Sequence, residues 1–374
     1  MSLTWVSNEF ICKELYAPFV LEKDSEYLDD LKKKYSIVIA QAENAGADAE
    51  SLKILNKFRK KVLEALKCYY RADIAKCNTI VRNLIKDIGE NPVAVSSLNE
   101  SYAFPGAKGT EIQFFRCRMG NPSNAYLAKD MLHLPLKLRA KSGNYRFSIP
   151  GNPSLYLANS SYGCWIETGF PPVNDFNVSP VILDGKQKIL NLAVSIKDLS
   201  ALRETNFEKN RVHCWLKLYM LAIATSYRIN EIGRTFKSEY IISQSIMMAC
   251  KKQRYDGVAY YSKRVSDELF ALCAINLALF VDYKGEYSEI IKHMKMDDAF
   301  NYGLYERLNS SLTYRSYELR LMRTLYITNI GSIDRQYPYR ETRFCKFDEF
   351  LFASWRDNRT GKAKNQIEWG VPTN

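Results

Sequence analysis

Residues 145–167, YRFSIPGNPSLYLANSSYGCWIE, are the stretch from which the rest of the chain is read. A basic and aromatic pair, Arg146-Phe147, opens it, and Pro150-Gly151-Asn152-Pro153 turns it. The apolar residues Leu155-Tyr156-Leu157-Ala158 predict a strand, and a short helical segment follows and ends on Glu167. The turn chemistry is that of Pro fixing φ and Gly and Asn accepting unusual backbone angles. A strand–turn–strand–helix unit of this kind can set an Arg, a Tyr and a Glu around a small polar ligand.

The chain has 374 residues, enough for two or three structural units with a sizeable core. Its 47% hydrophobic and 13% aromatic content describes an ordered globular protein. No apolar run approaches the ~20 residues that span a bilayer, so no membrane association is expected. The first residues, MSLTWVSNEFICKEL, show no basic segment leading into an apolar one and predict no secretory signal. Nine cysteines include no C-x-x-C pair, which argues against structural zinc and a disulfide framework and fits reduced thiols in the cytoplasm. The net charge of +12 admits a polyanionic partner or a phosphate-bearing ligand. The charge is spread thinly, and its densest runs, Lys32-Lys33-Lys34 and Arg59-Lys60-Lys61, are explained by solvated helix faces.

Apolar residues at three- and four-residue steps predict helix over residues 25–90, broken near Gly46 into a hairpin and ended by Gly89 and Pro92. An amphipathic hairpin must bury its stripe against the rest of the chain or a partner, so self-association, regulation by another protein and control of a site are its candidate roles. Composition changes at Pro105-Gly106, and EIQFFRCR at 111–118 predicts a strand. Residues 181–183 and 188–192 predict a hairpin across Asp184-Gly185. Helices are expected over 199–202, 212–226 and 239–251, strands over 258–262 and 274–281, and an amphipathic piece over 314–325. The residues from Arg359 onward are polar and predicted loose. Three units follow: a helical region 1–104, a mixed core 105–284 and a C-terminal extension 285–374.

Several chemistries lack their motifs. There is no G-x-x-x-x-G-K-[ST], no G-x-G-x-x-G, no H-E-x-x-H and no G-x-S-x-G. Three histidines, His133, His213 and His293, make a multi-histidine metal site improbable, and no metal is expected. Arg, Tyr, Glu and Ser remain.

Four pieces in sequential order resemble the RES domain family over about residues 107–284. They are Phe115-Arg116-Cys117-Arg118; Arg146-Phe147 through Leu155-Tyr156-Leu157-Ala158 to Glu167; Glu239-Tyr240 with Gln244; and Asp256-Gly257-Val258 through Tyr260 to Ser262. The resemblance implies an α+β fold: an ADP-ribosyltransferase-like core of mixed sheet with helices, here preceded by a helical region and followed by a mixed extension. It also implies an enzyme that consumes NAD as substrate, cleaving the nicotinamide–ribose bond by hydrolysis or phosphorolysis. A toxin role with a helix-turn-helix antitoxin as partner belongs to the same implication. Carried over by position, Glu167, Arg116 and Ser262 are the catalytic set, with Tyr156, Arg118 and Arg146 binding NAD.

The residue types suit that chemistry. The leaving nicotinamide nitrogen already carries positive charge, so no general acid is required, and the transition state is oxocarbenium-like. A fixed carboxylate near the ribose, Glu167, lowers its energy. An arginine fork matches a pyrophosphate; Arg116 is the first choice, with Arg118 and Arg146 as alternatives. Tyr156 can stack on nicotinamide, and Ser262 can orient ribose or carboxamide. Each also has a structural alternative: Tyr156 as core, Glu167 as a solvated helix end, Arg146 as a salt-bridge donor, Ser262 as an ordinary strand end. Two other functions compete, transfer of ADP-ribose to a macromolecule and non-catalytic binding of nucleic acid.

Overall fold

The computed structural model describes residues 13–22, 25–104, 109, 111–121, 123–201, 208–231, 233–265, 273–308, 326–328, 336–358, 367–368 and 371–372. After a two-residue strand β1 (Phe19–Val20), three helices follow: α1 (Tyr27–Asn44), α2 (Ala49–Tyr70) and α3 (Ile74–Ile88). The expected hairpin over 25–90 is thus a three-helix unit. The second break falls where Ala72 takes a positive φ of 64° and Asp73 caps α3, accepting from the Lys76 N–H at 3.0 Å. A polar side chain at the N-cap satisfies one orphan amide. The apolar stripe runs on past this break in the same register, and periodicity alone does not reveal it.

The remaining elements in order are β2 (Val95–Ser97), β3 (Ile112–Met119), α4 (Ala128–Met131), β4 (Ser154–Ala158), α5 (Ser161–Glu167), β5 (Phe176–Leu183), β6 (Lys188–Leu192) and α6 (Ile196–Ala201). Then come α7 (Lys209–Thr225), β7 (Tyr227–Arg228), α8 (Ile241–Lys252), β8 (Gly257–Tyr261), β9 (Ile275–Phe280), β10 (Met294–Met296) and β11 (Phe300–Asn301). Last are α9 (Tyr302–Leu308), β12 (Tyr326–Thr328), β13 (Gln336–Pro338), α10 (Arg343–Asn358), β14 (Ile367–Glu368) and β15 (Val371–Pro372). The amphipathic piece expected at 314–325 lies outside the described residues, as does the stretch from Arg359 except for β14 and β15.

One mixed sheet runs β15-β14-β10-β5-β3-β4-β9-β8-β6-β2, with β11 beside β5. Among its described strands only β6 and β8 pair parallel. The fold is α+β. The boundaries expected at 104/105 and 284/285 both fall within the run of this sheet, because β2 precedes the first and β10 follows the second.

The hairpin expected across Asp184-Gly185 does not form. Both edges of β5 are taken, by β3 and by β10, and β6 pairs instead with β8 and β2. Five strand steps separate β5 from β6. In a flat sheet that is ~24 Å, yet the four residues between them reach at most ~18 Å. The sheet must therefore curl so that its two halves approach. Gly185, at φ +81°, sits at the closure, where an added Cβ would come within 2.9 Å of the Gly109 carbonyl.

Alternation along the central strands feeds two cores. Val258, Tyr260, Ala278 and Phe280 face α1, α2, α3, α7 and α8. Ala259, Tyr261, Leu277 and Leu279 face the other way, toward β3, β5, α5 and α10. This is the period-two pattern of a sheet buried on both faces. The N-terminal helices therefore bury their stripe on the chain itself; Tyr35 Oη donates to Met220 O at 2.7 Å and Tyr27 Oη to Ala224 O at 2.6 Å. Among the described residues no helix is long and apolar enough to cross a membrane.

Candidate functional site

The unit 145–167 forms one wall of a cavity of about 440 Å³, within the size range of small-molecule sites. β3 supplies Arg116, β4 supplies Tyr156, α5 ends on Glu167, and β9 supplies Asn276. The register places Ala158 beside Phe115 on one side and Asn276 on the other, which brings these side chains to one end of three adjacent strands.

Glu167 is aimed by both ends of its helix. At the start, the Gly163 N–H donates to Ser160 Oγ at 2.8 Å, and the Ser160 hydroxyl donates to Cys273 O. The Ser161 N–H donates to Asp348 Oδ1 at 3.2 Å, and Tyr339 Oη donates to Asp348 Oδ2 at 2.7 Å. Asp348 is fully buried, and that burial pushes its carboxyl up to about 8. At the far end, Asn276 Nδ2 donates to Glu167 Oε1 at 2.5 Å. Burial raises the Tyr240 and Tyr260 hydroxyls above their ordinary range; the Glu167 charge is the second cause at Tyr260, and at Tyr240 it adds after the opposing Arg146 charge.

The predicted arginines divide. Arg116 lines the cavity, but Nε donates to Met131 O and Nη1 to Tyr156 O at 2.7 Å. Burial, and then the neighbouring Arg118 charge, lower it to about 10, so it stays charged at neutral pH. Arg118 is outside the cavity wall; its Nη2 reaches Leu132 O at 3.5 Å. Arg146 lines the cavity, yet Nη1 and Nη2 donate to Thr225 O and Tyr227 O at 2.5 and 2.6 Å. A cation at the carbonyl end of α7 is favoured by the helix dipole. The Tyr240 ring lies under its guanidinium, 5.1 Å away.

Tyr156 presents its ring to the cavity and turns its hydroxyl inward, where it accepts from the Phe147 N–H at 3.2 Å and pairs with Ser148 Oγ at 2.8 Å. Burial raises that hydroxyl well above its ordinary range. Ser262 is buried off the cavity wall and accepts from the Arg264 N–H at 3.2 Å. Gln244, from the helix start that begins at Glu239, donates to Tyr145 O and Ser148 O at 3.0 Å each and so pins the turn carrying Arg146.

Sequence reasoning gave Tyr240, quoted only within the Glu239-Tyr240 piece, no role, and it missed Asn276 and four cations on the wall: Arg228, Lys237, Lys263 and Arg264. Asn276 had a signal, since it is the lone amide in the apolar strand INLALF. The cations had none, because Arg228, Lys237 and the pair Lys263-Arg264 lie on three separate stretches, a two-residue strand and two irregular segments. Among the described lining residues, six cationic side chains face one carboxylate, Glu167. The described residues hold no group of three or more His, Cys, Asp or Glu suited to a metal ion.

Comparison with known proteins gives three findings. A family model, the RES domain, matches residues 114–299. The candidate toxin YopC of Bacillus subtilis (strain 168) is 33% identical over 164 residues, 41% of this chain and 37% of that protein. The matched stretch thus spans little more than a third of that relative's length. Among solved structures, the crystal structure of the M. tuberculosis MbcT-MbcA toxin–antitoxin complex aligns over 62% of this chain and 97% of that one, with 10% identity and a TM-score of 0.30.

Proposed function

Residues 114–299 of this chain belong to the RES domain family, and from that premise we propose that the cavity binds NAD and cleaves its nicotinamide–ribose bond. The observation that carries the proposal is the placing of Glu167 and Asn276 together, as the one acidic spot in an otherwise cationic cavity. A dinucleotide presents the complementary pattern: two negative phosphates, and a ribose whose C1′ becomes positive as nicotinamide departs.

Glu167 stabilises the oxocarbenium-like C1′ electrostatically. Asn276 fixes the carboxylate by donating to Oε1, so that Oε2 is the oxygen proposed to act on the ligand. Nicotinamide leaves as a neutral ring, so no side chain has to protonate it. Water or inorganic phosphate then attacks C1′; hydrolysis and phosphorolysis differ only in that acceptor. The Tyr156 ring offers a face for stacking. Pyrophosphate binding falls chiefly to Arg228, Lys237 and Arg264, because the forks of Arg116 and Arg146 are committed to backbone carbonyls. Arg116 and Arg146 contribute charge and hold the wall, Arg118 stays outside it with its fork toward Leu132 O, and Ser262 positions Arg264 rather than touching the ligand. We propose a toxin role as the setting, in keeping with the description of the Bacillus relative as a toxin, and an antitoxin protein as the partner that would restrain it.

The test is nicotinamide release from NAD by the purified chain, with and without phosphate, alongside Glu167→Gln. The expected outcome is turnover by the wild type and a loss of ~10²-fold or more in the variant, the scale of removing a preorganised electrostatic group. Absence of turnover by the wild type, or equal turnover in Glu167→Gln, refutes the proposal. Adenine-labelled NAD that leaves its label on a protein or nucleic-acid acceptor would instead establish ADP-ribosyl transfer.

A further inference from the structure

A second cavity, of about 530 Å³, lies away from the first, between α3, α8 and the turn at 149–152. Helical periodicity puts Asn78, Thr79 and Arg82 on one flank of α3, beside the buried stripe of Cys77, Val81 and Leu84. The same spacing on α8 pairs Met247 with Lys251 and Met248 with Lys252. Three cations, Arg82, Lys251 and Lys252, therefore converge on one hollow, and no carboxylate lies among its described lining residues.

These cations belong to the helices that flank the hollow. Arg82 Nε is buried and has no hydrogen-bond partner among the described residues. Nε is closed off from the hollow as from solvent, so the ligand contact expected of Arg82 is through the terminal nitrogens of its guanidinium. Lys251 is half-buried, and that burial lowers its amine below the ordinary lysine range. Its Nζ donates to neutral acceptors, Val281 O at 2.8 Å and Asn152 Oδ1 at 3.3 Å. Lys252 is exposed at the mouth. The floor is apolar, made by Ile149, Met247 and Met248.

We propose that this hollow is a second ligand site, for a small molecule carrying a phosphate monoester on an apolar body. Three positive charges line the hollow with no carboxylate among its described lining residues, and although the Asp282 charge acts on Lys251 from outside that lining, the balance matches a dianionic phosphate better than a single carboxylate. The arginine fork gives paired hydrogen bonds and the lysines point charge. The volume exceeds what inorganic phosphate fills, and the methionines adapt to an apolar group of varied shape.

Phenyl phosphate is the probe, with phenol and inorganic phosphate as its two halves, on the full chain labelled at the methionine methyls. Saturable shifts of the Met247 and Met248 methyl signals are expected with phenyl phosphate. Apparent affinity should fall at least tenfold for inorganic phosphate and for phenol. Arg82→Gln should weaken phenyl phosphate at least tenfold, and the surface variant Lys252→Gln should weaken it several-fold with the melting temperature unchanged. The proposal is overturned if phenyl phosphate leaves both methyl signals in place, if phenol alone gives the same titration, or if both variants bind as the wild type does. Glu167→Gln binds phenyl phosphate normally at these methyls if the sites are distinct, so the outcome is independent of NAD turnover.

Discussion

Asp348 reaches from α10 to the first turn of the helix that presents Glu167, and replacing it with Asn should change how stability depends on pH. In the folded protein burial holds this carboxyl up to about 8; in the unfolded chain it titrates near ~3.9. The native state keeps a proton that the unfolded state has released. The stabilisation from this group is therefore complete below about pH 4 and declines by about 1.4 kcal/mol per pH unit until about pH 8. At pH 7 about 4 kcal/mol has been lost by this route. Asn keeps the carbonyl oxygen that accepts from the Ser161 N–H at 3.2 Å and does not titrate. Urea unfolding followed by tryptophan fluorescence at pH 5, 6 and 7 measures the difference between the two proteins, in which other titrating groups cancel. The difference should move in favour of Asp348→Asn by about 2–3 kcal/mol between pH 5 and 7. A difference that stays constant with pH would refute the reasoning, since a carboxyl already ionised in the fold gives no such slope.

Two further substitutions test how the site is held. Arg146→Lys keeps the charge but cannot span Thr225 O and Tyr227 O together; a loss of about 2–3 kcal/mol in urea unfolding is expected, the scale of charged hydrogen bonds. An unchanged midpoint would show that the fork does not tie the 145–167 unit to α7. At Gly257 an added Cβ would meet the Ala278 carbonyl at 2.6 Å, so Gly257→Ala should destabilise by about 1–3 kcal/mol. Gly285→Ala, which meets nothing within 4 Å, is its control, and the two melting temperatures should differ clearly.

The local units were legible because their causes are local. The unit 145–167 reads from its own residues as turn, strand and short helix, and β4 and α5 stand there. The strand at 111–118 and the helices of the N-terminal region carry their periods in the sequence. The turn at 184–185 reads as a hairpin because Asp-Gly is a local signal, whereas strand pairing is decided by which partners are already bonded. β5 has β3 and β10 as neighbours, and the chain crosses to the other half of a curled sheet.

By itself, the sequence determined the α+β class, the absence of the common nucleotide and metalloprotease motifs, and an ordered set of Arg, Tyr, Glu and Ser segments. Only the tertiary structure decided what those side chains face. Arg116 and Arg146 are of the right type to hold a phosphate, but helix ends and strands elsewhere in the chain present carbonyls that take their forks. Asn276 meets Glu167 across 109 residues of sequence, and Asp348 meets Ser161 across 187. Side-chain type is fixed by the residue and its element by its neighbours. Burial and hydrogen-bond partner, which decide whether a charge is structural or available to a ligand, are set by contacts between segments far apart in the chain.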